Sequence, residues 1–155
     1  MAVLSIPAFH VSDSGKVRGY GEVFIQSRAG GAFTGVFTVE LSVHFNPPAD
    51  EYPVGSVNIK TNLNDGSQGE FVATSIDLIN SHGRINPTIF LTGRCKDHIQ
   101  PDANGCRFWL MIANNNVPTH PGTPDIVSFA VHDQFGALVA YGTGPLRSGD
   151  FNVSA

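Results

Sequence analysis

Asp77, His44 and His132 are the side chains with which this chain could move a proton, and no linear motif joins them. General acid–base chemistry needs a carboxyl or imidazole whose proton affinity is tuned by burial or by a charged neighbour, and an apolar barrel interior can do that without any sequence signature. Nucleophilic chemistry is less well supplied: the serines form no Gly-x-Ser-x-Gly, and Cys95 and Cys106 suit a bond to each other better than a thiolate beside a base. Gly19-Tyr-Gly21 and Gly142-Thr-Gly144 precede no helix that could present its N-terminus to a phosphate. The reading leans away from an enzyme.

Metal chemistry is equally poor in pattern. His10, His44, His82, His98, His120 and His132 never stand two or four residues apart, so no zinc spacing exists. Asn62-Leu-Asn-Asp-Gly-Ser-Gln-Gly-Glu70 gathers oxygen donors around glycine, with Asp65 as the best ligand. Aligning Gly66 with the invariant glycine of a calcium loop, however, puts Thr61, Leu63 and Val72 at the first, third and twelfth positions, where carboxylates are required. A plain turn is the better reading, and no cofactor is implied. Asp125 and Asp133 bracket one apolar run and read as caps on its two ends.

The residues best placed to bind something lie on one hairpin. Thr88–Cys95 and Cys106–Ala113 are apolar stretches flanking a polar loop, and placing Cys95 opposite Cys106 pairs Gly93 with Phe108, Leu91 with Leu110 and Ile89 with Ile112 on one face. A disulfide between Cys95 and Cys106 fits this register. The other face carries Arg94 with Arg107, Thr92 with Trp109 and Phe90 with Met111. Trp109, the only tryptophan, with Arg94 and Arg107 would make an amphipathic platform for a sugar ring or planar ligand, and Asn114 and Asn115 next to it would suit hydroxyl recognition. The alternative is that this face is covered: Trp109 is then core, and the arginines meet Asp97, Asp102 or a chain terminus.

These residues must be positioned by strands. The run from Phe33 to Phe45 alternates, with Phe33, Phe37, Val39, Leu41, Val43 and Phe45 on one side and Thr34, Thr38, Glu40, Ser42 and His44 on the other, and Pro47-Pro48 ends it. Further strands are predicted near 17–26, 54–61, 70–79, 87–95, 106–113, 125–133, 137–142 and 150–154, separated by Gly, Asn, Asp and Pro clusters. Asp133-Gln-Phe-Gly136 predicts a tight turn with Gly136 at positive φ. The only helical segment expected is a short turn near 79–84. The fold class is therefore all-β: an antiparallel sandwich or flattened barrel of eight or nine strands.

Bulk properties set the remaining bounds. At 155 residues the chain is the size of one domain. Charged residues are 14%, against roughly 25% in average domains, and the net charge is −4, which together argue against a nucleic-acid binder and for neutral polar ligands or self-association. The opening Met-Ala-Val-Leu-Ser-Ile-Pro lacks a basic segment and breaks at Pro7, so it reads as neither signal peptide nor membrane span.

Phe71–Ile79, Leu91-Thr-Gly-Arg-Cys95, Phe108–Asn114, Pro124–Asp133 and Gly149–Val153 together resemble, over about residues 71–153, the β-rich accessory modules at the C-terminal ends of bacterial secreted and surface proteins. The resemblance implies a noncatalytic, extracytoplasmic β-domain and carries no catalytic residues with it. The expected function is a binding or adhesion module for a glycan or another neutral polar ligand, with a homo-oligomer as a compatible assembly. The alternatives are a small barrel isomerase or cyclase, using Asp77, His44 or His132 in an apolar cavity, and an assembly subunit.

Overall fold

A computed structural model of the chain describes residues 15–25, 35–46, 49–64, 66, 68–82, 87–98, 105–118 and 121–154. They form nine strands: β1 Gly15–Ile25, β2 Gly35–Phe45, β3 Val54–Leu63, β4 Gln68–His82, β5 Thr88–Asp97, β6 Cys106–Ala113, β7 Ile126–Asp133, β8 Leu138–Pro145 and β9 Ser148–Ser154. All belong to one antiparallel sheet, in the order β8-β7-β6-β5-β4-β3-β2-β1-β9. The first eight strands are a meander, and β9 returns beside β1.

That last connection dictates the shape. In a flat sheet β8 and β9 would stand eight interstrand spacings apart, about 38 Å. Only Leu146 and Arg147 separate the two strands, and three Cα steps span at most about 11 Å. The sheet therefore curls until its edges approach, a half-barrel rather than two stacked sheets. The link is tied down at both ends: Leu146 N donates to Asp125 O at 2.8 Å and Arg147 N to Glu22 O at 2.9 Å.

Alternation along each strand fills the concave side. Phe37, Val39, Leu41 and Val43 of β2, Ile89 and Leu91 of β5, Phe108, Leu110 and Ile112 of β6, and Val127, Phe129 and Val131 of β7 are all buried in one cluster. The rings of Phe37 and Phe129, on strands far apart in the sheet, meet with centroids 4.5 Å apart, so the core is continuous across the curl. Gly142 lets β8 lie against them, since a Cβ there would stand 2.7 Å from Phe37 Cε1.

The hairpin register is the one that the cysteines imply: Cys95 faces Cys106, Gly93 Phe108, Leu91 Leu110 and Ile89 Ile112. The cysteine sulfurs lie at disulfide distance, with Cα atoms 4.9 Å apart. Gly136 has φ +84° in the β7–β8 turn, as expected. The helical turn is not formed: residues 79–82 continue β4, paired with β5 as far as His82 opposite Thr88, because the ladder satisfies the backbone groups that a turn would have closed locally; residues 83 and 84 lie outside the described residues. Among the described residues, no helix is long and apolar enough to cross a membrane.

β4 is longer than its partner for a reason. Its pairing with β5 shifts register between Ala73 and Ser75 and again between Ile76 and Leu78, leaving Thr74 and Asp77 as surplus residues of two β-bulges. Each bulge places two successive side chains outside, Thr74 with Ser75 ahead of the buried Ile76, and Asp77 with Leu78 between Ile76 and the buried Ile79. The first bulge crowds β5, where a Cβ on Gly93 would sit 2.0 Å from Ser75 O.

Candidate functional site

The convex side of β4 to β8 carries the candidate site. Cross-strand pairing sets a row of Thr92, Trp109, Ala130 and Tyr141, and beside it a row of Arg94, Arg107 and His132. Trp109 is 51% exposed, so the second face of the hairpin is not core. Thr92 lies buried between its larger neighbours and donates its hydroxyl to Phe108 O at 2.7 Å.

Trp109 borders two depressions. One is an open groove of about 690 Å³, lined by Arg94, Lys96, Arg107, Trp109, His132 and Asp133 among others. The other, about 250 Å³, is an apolar notch bounded by Leu78, Phe90, Trp109, Met111 and Ala130. Ala130 stands between the exposed Trp109 and Tyr141 in their row, and the strands of those two rings lie two spacings, about 10 Å, apart.

The charges of the groove are unequally matched. Arg107 Nη1 lies 3.0 Å from Asp77 Oδ2, reached across β5 by the bulge at Asp77, and Ser75 Oγ donates to Asp77 Oδ1 at 3.2 Å. Asp133 Oδ1 accepts the backbone N–H groups of Phe135 and Ala137, both at 2.9 Å, which fixes the β7–β8 turn. Arg94 and Lys96 have no carboxylate partner among the described residues. Asp97 does not meet the arginines; its Oδ1 accepts Glu70 N at 3.2 Å. Asp102 lies outside the described residues, as does Asp65 of the proposed turn.

The three proton-transfer candidates share no cavity. His44 is on the outer face of β2, four strands from β6, with its Nε2 3.9 Å from Asp50. Asp77 and His132 are outward too, separated by Arg107, which bonds Asp77 and stands opposite His132. The buried cluster that fills the concave side is apolar.

Asn114 and Asn115 are not part of the Trp109 platform. Asn114 lies five residues along the chain, about 17 Å at strand spacing, and is buried. Its loop is organised by Asp125, which is 1% exposed: Oδ1 accepts Asn115 N at 2.8 Å and Asn116 N at 3.0 Å, and Oδ2 accepts Phe151 N at 2.9 Å. Both aspartates thus hold the ends of β7, as their positions suggested. Asp150 sits beside Asp125, and its pKa is raised, first by burial and then by the neighbouring carboxylate, against the opposing effect of Asn116 and the Phe151 N–H.

Lys96 of the groove and Tyr141 of the neighbouring row escape a reading centred on the hairpin pairs. Lys96 follows Arg94 by two residues and shares its face, so strand alternation alone places it there. Tyr141 is reached only through β7, a pairing that no single hairpin specifies.

No family model matches this chain, and no curated protein or solved structure is significantly similar to it.

Proposed function

We propose that the chain is a noncatalytic carbohydrate-binding module whose platform is the convex face around Trp109. One observation carries this reading: the single tryptophan is half exposed beside a groove of about 690 Å³, a volume typical of ligand sites. An indole offers a rigid apolar surface to the C–H face of a sugar ring, and the flanking arginines supply donors for its hydroxyls. Tyr141 on the same row, with Ala130 between, supports an extended ligand over a single small molecule. A role as an extracytoplasmic accessory domain agrees with this reading.

The barrel-enzyme alternative draws less support, because Asp77, His44 and His132 lie on the outer face without a shared enclosure. Calorimetric titration against a panel of oligosaccharides tests the proposal. Binding that Trp109→Ala abolishes while the variant stays folded is the expected result. A panel without a binder overturns it, and a concentration-dependent dimer broken by Trp109→Ala would assign the same face to a second copy of the chain.

A further inference from the structure

We infer that the ligand of the Trp109 groove is an acidic glycan, held by stacking on Trp109 and by an oxyanion of the sugar on Arg94. The inference rests on the binding reading above and adds the charge of the sugar, replacing the neutral ligand that overall composition favours.

The whole chain carries nine Lys and Arg at a net charge of −4, yet Arg94, Lys96 and Arg107 all line this one groove. Arg94 and Arg107 are direct cross-strand partners, an arrangement that costs stability when both are charged. The fold relieves half of that repulsion. The bulge at Asp77 sends a carboxylate to Arg107, while Arg94 and Lys96, two residues apart on one face of β5, keep no such partner among the described residues. The Oδ1 of Asp133, the acid that lines the groove among the described residues, is engaged with the β7–β8 turn. The position left uncompensated lies beside the exposed indole, since Arg107 and Trp109 are neighbours on the outer face of β6 and Arg94 stands opposite Arg107. A sugar ring on Trp109 can therefore turn a carboxylate toward Arg94, whose planar guanidinium matches a carboxylate in bidentate fashion.

The test compares a linear hexuronate oligosaccharide with its carboxyl-reduced, neutral counterpart, by calorimetry on the full chain at low and high salt. Wild-type protein is expected to bind the acidic oligomer about 10- to 100-fold more tightly, the range of a charge-assisted hydrogen bond, with the preference shrinking as salt rises. Arg94→Gln, an exposed change, should erase that preference by weakening the acidic oligomer far more than the neutral one; Arg94→Lys should keep part of it. Equal binding of both oligomers by wild-type protein, or a preference that survives Arg94→Gln, overturns the charge assignment while the Trp109 platform stands. Binding of neither oligomer, nor of any other sugar, overturns the platform and the inference together.

Discussion

Asp77 Oδ2 meets Arg107 Nη1 at 3.0 Å only because Asp77 is the surplus residue of a β-bulge. Regular pairing would set β4 side chains against β5, whereas the bulge adds a second outward residue and re-aims it past β5 to β6. The contact sets the charge of the groove, since it neutralises one member of the Arg94–Arg107 pair.

Replacing Asp77 with Asn should therefore act in two directions. Unfolding in urea should show a loss of about 0.5–1 kcal/mol, small because both partners are 38% exposed and the pair is screened by solvent. Affinity for an acidic oligosaccharide should rise severalfold, because Arg107 becomes available beside Arg94. A variant that binds the acidic ligand more weakly would count against the charge account.

Joining Cys95 to Cys106 links positions separated by 11 in sequence. Chain-entropy arithmetic gives such a bond a stabilisation of ~3 kcal/mol. Reductant, or the Cys95→Ser/Cys106→Ser double variant, should lower the urea midpoint accordingly, and a midpoint unmoved by reductant would contradict the assignment. The groove should survive reduction, because the pairing of β5 with β6 continues through seven further residue pairs to Thr88 and Ala113.

Asp125 and Asp150 predict opposite stability effects. Asp125→Ala strips acceptors from three backbone N–H groups at a buried site and should cost about 3 kcal/mol or more, read by chemical denaturation. Asp150 has a raised pKa in the folded chain. The folded state then holds its proton more tightly than the unfolded state, so this group's contribution is fully present below the ordinary carboxyl range and is lost as pH rises through the raised value. Thermal melts across that window should show the Tm of wild type relative to Asp150→Asn falling as pH rises. A difference that grows with pH would contradict the sign.

Gly93→Ala tests the bulge itself. A methyl group there would lie 2.0 Å from Ser75 O, a backbone atom, and should cost about 2 kcal/mol or more by overpacking. Gly105→Ala is the control: its nearest contact would be Cys95 O at an ordinary 3.4 Å, and its effect should stay within about 0.5 kcal/mol. Equal effects would mean that β5 can move away from β4.

Much of this structure can be read from the residue pattern, for physical reasons. Alternation in Phe37–Phe45 and the paired cysteines specify a strand and a register because a one-residue slip would expose the whole apolar face. Gly136 and the two aspartates around β7 announce turns through their own backbone chemistry. The bulges escape notice, since Asp77-Leu78 and Thr74-Ser75 show only a broken alternation that a short helical turn would mimic equally well. The joining of the groove also depends on β7 and β8, so the exposure of Trp109 is a property of the curl, which no local segment encodes. Asn114 misleads for a related reason: sequence proximity to Trp109 becomes separation along an extended strand.

Quenching of the intrinsic fluorescence by acrylamide tests the central claim most directly, because Trp109 is the only tryptophan in the chain. The free protein should be readily quenched, as a half-exposed indole must be, and a saturating acidic oligosaccharide should shield it while the carboxyl-reduced counterpart shields it less at the same concentration. An indole that is inaccessible in the free protein, or one whose quenching no oligosaccharide alters, would contradict the account.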